Sequence, residues 1–306
     1  MTVVIRADRV VLNSKDDLIS DGVVVIEGQN ILLEYSLKSA TVKHLGDVTL
    51  MPGLFDCHVH LQMGPSDVST SSAINLEDDA LLRLIARNAS KLLDAGATTC
   101  RDLGSRDLTT ASILISTGGF MTAGSHPSQA RFSPDEMAAI RDEATKHGLS
   151  ITTHATGMQG IDRAADAHFD CIEHCASINP DSKAEFDPVV AQKLVDGNIA
   201  MREIRIRLVT GTDSGSGLCR FERYAAGLTV LADAGYTSRR LEAGFAADLA
   251  TFAGNPLEDV TAYGEPRFVM ALGREHGLSP IEPLGDIKEK ADLTLKLLRE
   301  GAGINK

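Results

Sequence analysis

Two histidines one residue apart, at the end of a short apolar run, are the side chains of this sequence best placed to do chemistry. They close the stretch Met51-Pro52-Gly53-Leu54-Phe55-Asp56-Cys57-His58-Val59-His60. The Pro-Gly pair opens a turn, and the apolar residues after it read as a buried strand. Alternate side chains of a strand share a face, so His58 and His60 project together while Val59 points away. Two neutral imidazoles at the carboxyl end of a strand are half of a zinc site. Further donors stand at the ends of later strand-like runs: His154 in Ile151-Thr152-Thr153-His154-Ala155, His174 in Cys171-Ile172-Glu173-His174, and Asp213 in Val209-Thr210-Gly211-Thr212-Asp213. His58, His60, His154, His174 and Asp213 are the candidate ligands of a divalent cation.

Each has a plainer use. A single His-x-His pair is more often coincidence than a ligand pair, and Asp213 in its Gly-rich setting could serve only as a turn residue. The order in which the blocks recur is what favours the metal reading. His44, His147, His168 and His276 fall outside strand ends and read as structural. His126, in Gly124-Ser125-His126-Pro127-Ser128-Gln129, fits a pocket wall or a structural loop equally. Arg101 and Asp102 read as an ion pair inside the fold. Cys171 and Cys175 flank His174, but strand alternation would send both thiols to the opposite face. Gly118-Gly119 reads as a turn rather than a phosphate cradle, because no Lys-Ser/Thr pair follows.

The elements that must position these residues alternate between strand and helix through the middle of the chain, the pattern of an α/β protein with parallel strands. Asp79 to Ala95 carries Leu81, Ile85, Ala89 and Leu92 at helical spacing, with Gly96 to end it. Ser133, Pro134 and Glu136 make a capping box with Phe132 as staple to Met137, and the helix they start should stop at Gly148. A third helix should span 158–167 and a fourth 188–196, each leading into a strand. The first fifty residues and the stretch from Phe245 to Leu272 are strand-like, which suggests one small sheet shared by both chain ends. The segment from Asp286 to Arg299 reads as a charged helix.

A formal net charge of −12 argues against nucleic acid or an anionic membrane as partner, since both need clustered Lys and Arg. Charges at Arg6, Asp8, Arg9, Lys15, Asp16 and Asp17 interrupt any secretory signal, and the odd number of cysteines, 5, has no framework spacing. A cytoplasmic location with reduced thiols is expected.

With these blocks in order, the chain resembles the metal-dependent amidohydrolase superfamily, most closely its imidazolonepropionase-like and Xaa-dipeptidase-like branch. Besides the histidine and aspartate blocks, the likeness is carried by Gly96-Ala97-Thr98-Thr99-Cys100-Arg101-Asp102-Leu103-Gly104, Thr117-Gly118-Gly119, Gly244-Phe245-Ala246-Ala247-Asp248-Leu249 and Gly254-Asn255-Pro256-Leu257-Glu258-Asp259. The resemblance implies a TIM-like (β/α) barrel with its site at the carboxyl ends of the strands, plus a β-sandwich built from both chain ends. On this basis residues 1–52 and 243–280 form the sandwich, 53–242 the barrel and 281–306 a helical tail. His58 and His60 come from the first barrel strand, His154 from the fifth, His174 from the sixth and Asp213 from the eighth.

The resemblance further implies hydrolysis of an amide or cyclic-amide bond in a small molecule, with dipeptides or N-acyl amino acids as substrates. Asp213 is then the catalytic base, which takes a proton from water and returns it to the leaving nitrogen. His174 binds a second metal or donates to the carbonyl oxygen. Two departures qualify this. The bridging lysine of the branch is replaced: aligning Thr117-Gly118-Gly119 puts Ile113 at its position, and no lysine occurs between Lys91 and Lys146. One zinc ion, rather than two, is therefore expected. The span from Gly53 to Glu242, roughly 190 residues, is also below the usual 200 or more for an eight-stranded barrel. A contracted barrel lacking about one and a half strand–helix units is expected. The alternative is an inactive relic with a residual metal-binding or structural role. A homo-oligomer is left open.

Overall fold

Strand alternation shapes the first of the two units into which the chain divides, residues 1–67, 71–102 and 210–284. In this computed structural model, residues 2–12, 18–32, 40–63, 76–103, 112–115, 126–178, 189–190, 193, 211, 213 and 241–279 are described. β1 (Thr2–Val10) and β2 (Ile19–Glu27) pair antiparallel, from Thr2↔Glu27 to Val10↔Ile19. A two-residue turn leads into β3 (Asn30–Ile31); Gly28, φ 61°, takes the first central position, where such hairpins favour glycine. β4 (Thr41–His44) and β5 (Val48–Pro52) lie parallel to the first and second halves of β1. β4 has no apolar alternation, so nothing in its sequence marks it as a strand.

The chain then makes a β-α-β passage: β6 (Leu54–Val59), α1 (Asp78–Asp94) and β7 (Ala97–Asp102), with β6 and β7 parallel. Gly96, φ 85°, ends α1 in the left-handed region, and a Cβ there would meet the Phe252 ring at 2.8 Å. Glycine is thus required both by backbone and by space.

The second unit comprises residues 68–70, 103–209 and 285–306. Its described strands, β8 (Ser112–Ile115), β9 (Ile151–Gly157) and β10 (Cys171–Ile178), are parallel, with β9 in the middle. α2 (Pro134–Lys146) and α3 (Met158–Asp166) connect them. The capping box is present: Glu136 N donates to Ser133 Oγ at 3.3 Å, and Ser133 N donates to Glu136 Oε2 at 2.7 Å. Phe132 packs on the cluster that holds Met137, Ala144, Ile151 and Phe169. Of the helix expected over 188–196, residues 189, 190 and 193 are described and helical. The expected tail helix and the Thr117–Gly119 turn lie outside the described residues.

The chain returns to the first unit as β11 (Leu249–Ala253), β12 (Pro266–Ala271) and β13 (Arg274–His276). β11 pairs antiparallel with β5, Leu50 opposite Thr251, so both chain ends share one eight-stranded sheet. Leu50, Leu249, Phe268 and Met270 point to one face with Ile5, Val24 and Ile26. Met51, Phe252 and Val269 point to the other and pack with Leu54, Val59 and Leu92 of β6 and α1. That second face is the floor on which the His58 strand rests. Among the described residues no helix is long and apolar enough to cross a membrane.

Candidate metal centre

The β6 strand ends at Val59 and leaves His58 and His60 4% and 7% exposed. Their Nε2 atoms are 3.3 Å apart. Asp213 Oδ1 completes a triangle within the first unit, 3.3 Å from His58 Nε2 and 3.0 Å from His60 Nε2. Tetrahedral zinc with bonds of 2.0–2.1 Å separates its donors by about 3.3–3.4 Å. The donor types and spacing therefore fit one such ion. Burial pushes the Asp213 carboxyl up, but hydrogen bonds from His58 and His60, and their charge, outweigh it and hold the group well below the usual carboxylate range.

Local backbone explains how a residue so distant in sequence reaches the pair. Asp213 N donates to His58 O at 2.8 Å, seating the segment beside the end of β6. A Cβ at Gly211 would stand 2.5 Å from His58 Cβ, so only glycine permits this approach. Asp213 itself sits at φ 56°, a region aspartate tolerates better than most residues. Asp56, fully buried, accepts from His58 N at 3.2 Å, and Arg101 Nε donates to Cys57 O at 2.7 Å. From sequence alone Arg101 reads only as a partner for Asp102. Gly211 was visible as part of a block, but nothing in the block signals which residue it would abut.

In the second unit, β9 and β10 bring His154 and His174 together, with His154 Nδ1 and His174 Nε2 2.9 Å apart and ring centroids at 5.1 Å. His154 is half-buried and His174 exposed. His174 and Cys175 have φ 66° and 47°, and the β9–β10 register breaks between His174 and Ile178. Positive φ at non-glycine residues costs on the order of 1–3 kcal/mol each and clusters at functional sites. The break also ends the strand alternation that would place Cys175 opposite His174. Behind the pair, buried Glu173 accepts from Thr152 Oγ1 at 2.8 Å and Cys171 Sγ at 3.2 Å. Ile113, the residue aligned with the bridging lysine, lies in β8 level with Thr152 of β9.

Four further histidines have described surroundings. His126 Nδ1 accepts from Ser128 N at 3.2 Å, within a loop that abuts Gly157 at the end of β9. His276 Nε2 contacts Asp94 Oδ1 at 2.9 Å, at the end of α1. His147 contacts Glu143 on the surface of α2, and His168, φ 53°, follows α3.

No family model matches the chain. Ochratoxinase from Aspergillus niger is 23% identical over 207 residues, which cover 51% of this chain and 43% of that protein. The matched chain thus spans less than half the length of this curated relative. Among solved structures, a Xaa-Pro dipeptidase with bound methionine is similar with a TM-score of 0.67 at 18% identity, over 90% of this chain and 100% of that one. A prolidase complexed with N-methylphosphonate-L-proline gives 0.71 at 16% identity, over 91% and 100%. The A. niger ochratoxinase structure gives 0.66 at 16%, over 93% and 98%. At identities this low the likeness is one of fold alone.

Proposed function

The chain carries the fold of the amidohydrolase superfamily, and from that premise we propose that it is a metal-dependent hydrolase of amide or cyclic-amide bonds. Dipeptides or N-acyl amino acids are the proposed substrates, in line with the dipeptidase and prolidase among its structural relatives. The observation that carries the reading is the triangle of His58 Nε2, His60 Nε2 and Asp213 Oδ1, with sides of 3.0–3.3 Å. These three residues would hold one zinc ion, which supplies water ionised near pH 7 and polarises a carbonyl oxygen. To ligate, both rings keep their proton on Nδ1 and offer the Nε2 lone pair. Asp213 orients the attacking water, accepts its proton and passes it to the leaving nitrogen.

His154 and His174 enter the proposal from their sequence blocks, as further ligands or, for His174, as donor to the carbonyl oxygen. The contracted barrel over 53–242, the β-sandwich over 1–52 and 243–280 and the tail over 281–306 belong to the same reading. So does a cytoplasmic setting, suggested by the odd cysteine count without framework spacing. Ile113 favours a second reading, an inactive relic with a residual metal-binding or structural role, because an isoleucine can neither ligate nor bridge.

Zinc analysis of the purified chain, with hydrolysis of a dipeptide panel by wild type and Asp213→Asn, separates them. Zinc with turnover that Asp213→Asn abolishes supports the hydrolase. Zinc without turnover in either protein selects the metal-binding relic, and absence of zinc removes the hydrolase and leaves the relic with a structural role.

A further inference from the structure

Asn88 is a wholly buried polar side chain in the middle of α1, among residues chosen for helix formation and apolar packing. Asparagine is a weaker helix former than the leucine and alanine around it, and burying its amide is unfavourable without partners. Its partners lie on another segment. Asn88 Nδ2 donates to Leu61 O at 2.8 Å and to Met63 O at 2.9 Å. Two carbonyl acceptors settle which end of the amide faces the turn. Asn88 Oδ1 is buried with no hydrogen-bond partner among the described residues. The two Nδ2 bonds are what the amide is there to make.

Both bonds fall on the turn that begins at His60. The β6–β7 ladder ends with Val59 opposite Asp102, so His60 is the first residue beyond the strand and no longer held by it. Met63 N donates to His60 O at 2.9 Å and closes the turn. With the Asn88 bonds, three hydrogen bonds fix the backbone leaving His60. A leucine at position 88 would fill similar space but leave two part-buried carbonyls without this donor.

We propose that Asn88 is a positioning residue for His60. Through the carbonyls of Leu61 and Met63 it holds the His60 ring in the triangle with His58 and Asp213. The proposal rests on the reading of His60 as a metal ligand. Partners that orient ligands in this way, when removed, typically cost 10–100-fold in metal affinity.

The test uses the full chain, with zinc affinity measured by competition against a chromophoric chelator and amide exchange measured on metal-free protein. In wild type the Met63 amide should be protected from exchange as strongly as the interior of α1. In Asn88→Leu and Asn88→Asp, which both remove the donors, zinc affinity should fall about 10–100-fold. Met63 exchange should accelerate while the β1–β2 and β5–β11 ladders keep their protection. Unchanged zinc affinity, or exchange that accelerates throughout the first unit, overturns the positioning role. An unprotected Met63 amide in wild type overturns it too, even if neither variant folds. Wild-type protein that binds no zinc removes the hydrolase reading as well, and so marks that failure apart from the others.

Discussion

A methyl group added at position 211 would place its carbon 2.5 Å from His58 Cβ, a distance that real side chains do not show. Either the 211–213 segment or His58 must then move, and both belong to the donor triangle. Gly211→Ala should therefore weaken zinc binding about 10-fold or more, as the loss of other supports of metal ligands does. Chelator competition measures it, and unchanged affinity would mean the segment can yield without cost. A second residue gives a prediction about pH. Burial first, then the charges of Asp102 and Asp56, push the Cys100 thiol up to about 11. Its folded value lies above the unfolded one, so its contribution is complete below pH 9 and is lost as pH rises toward 11. At pH 8, iodoacetamide should label Cys100 far more slowly in native than in guanidine-unfolded protein, read by peptide mass spectrometry. Equal rates would contradict this. At this scale the sequence was legible where neighbours in the chain do the work. His58 and His60 are aimed by the strand that carries them. Gly211 and Asn88 were not legible, because each is selected by a partner on a separate segment.

Helices advertise their ends more openly than strands advertise their neighbours. The start of α2 could be read from Ser133-Pro134-Asp135-Glu136 because every bond of a capping box lies within four residues. Hydrogen bonds from the Ser133 backbone and hydroxyl hold the Glu136 carboxyl below its ordinary value of 4.5. A depressed folded value means that the stabilisation is present above pH 4.5 and is lost as pH falls through the folded value. Ser133→Ala should lower stability in urea at pH 7 by about 1 kcal/mol, the usual worth of such a cap. Glu136→Gln should be destabilised at pH 7, and its difference from wild type should shrink as pH drops below 4.5. A pH-independent difference would rule out the charged capping bond. Strand β4 escaped the reading because Thr41–His44 is an edge strand with mostly exposed, polar residues and no apolar period to betray it. The break in β10 at His174 and Cys175 escaped it as well. Nothing local marks those residues for positive φ, so tertiary context must impose it.

For the whole chain, the pairing of β5 with β11 shows why a sheet shared by both ends could be suspected from texture but not assembled from it. Leu50 and Leu249 share one core cluster although they come from opposite ends of the chain, and register across so long a separation leaves no trace in either segment. The count of metal ions is a property of the same scale, since it depends on residues scattered from His58 to Asp213 and on the isoleucine at 113. A cation that binds only the folded chain stabilises it by about 2.7 kcal/mol at a hundredfold excess over its dissociation constant. At about 2.1 cal/mol/K per residue a chain of this length gains about 1.6 °C per kcal/mol, so saturating zinc should raise the melting temperature by about 4 °C over chelator-treated protein. His60→Ala takes one vertex from the triangle and should remove most of that rise, while Leu82→Ala, an exposed position on α1, should keep it. Elemental analysis of the same samples should give one zinc ion per wild-type chain, with saturation at a single equivalent in the melting titration. A titration that saturates at two equivalents would show that a second ion binds without a bridging lysine, and the one-ion assignment drawn from Ile113 would have to be withdrawn.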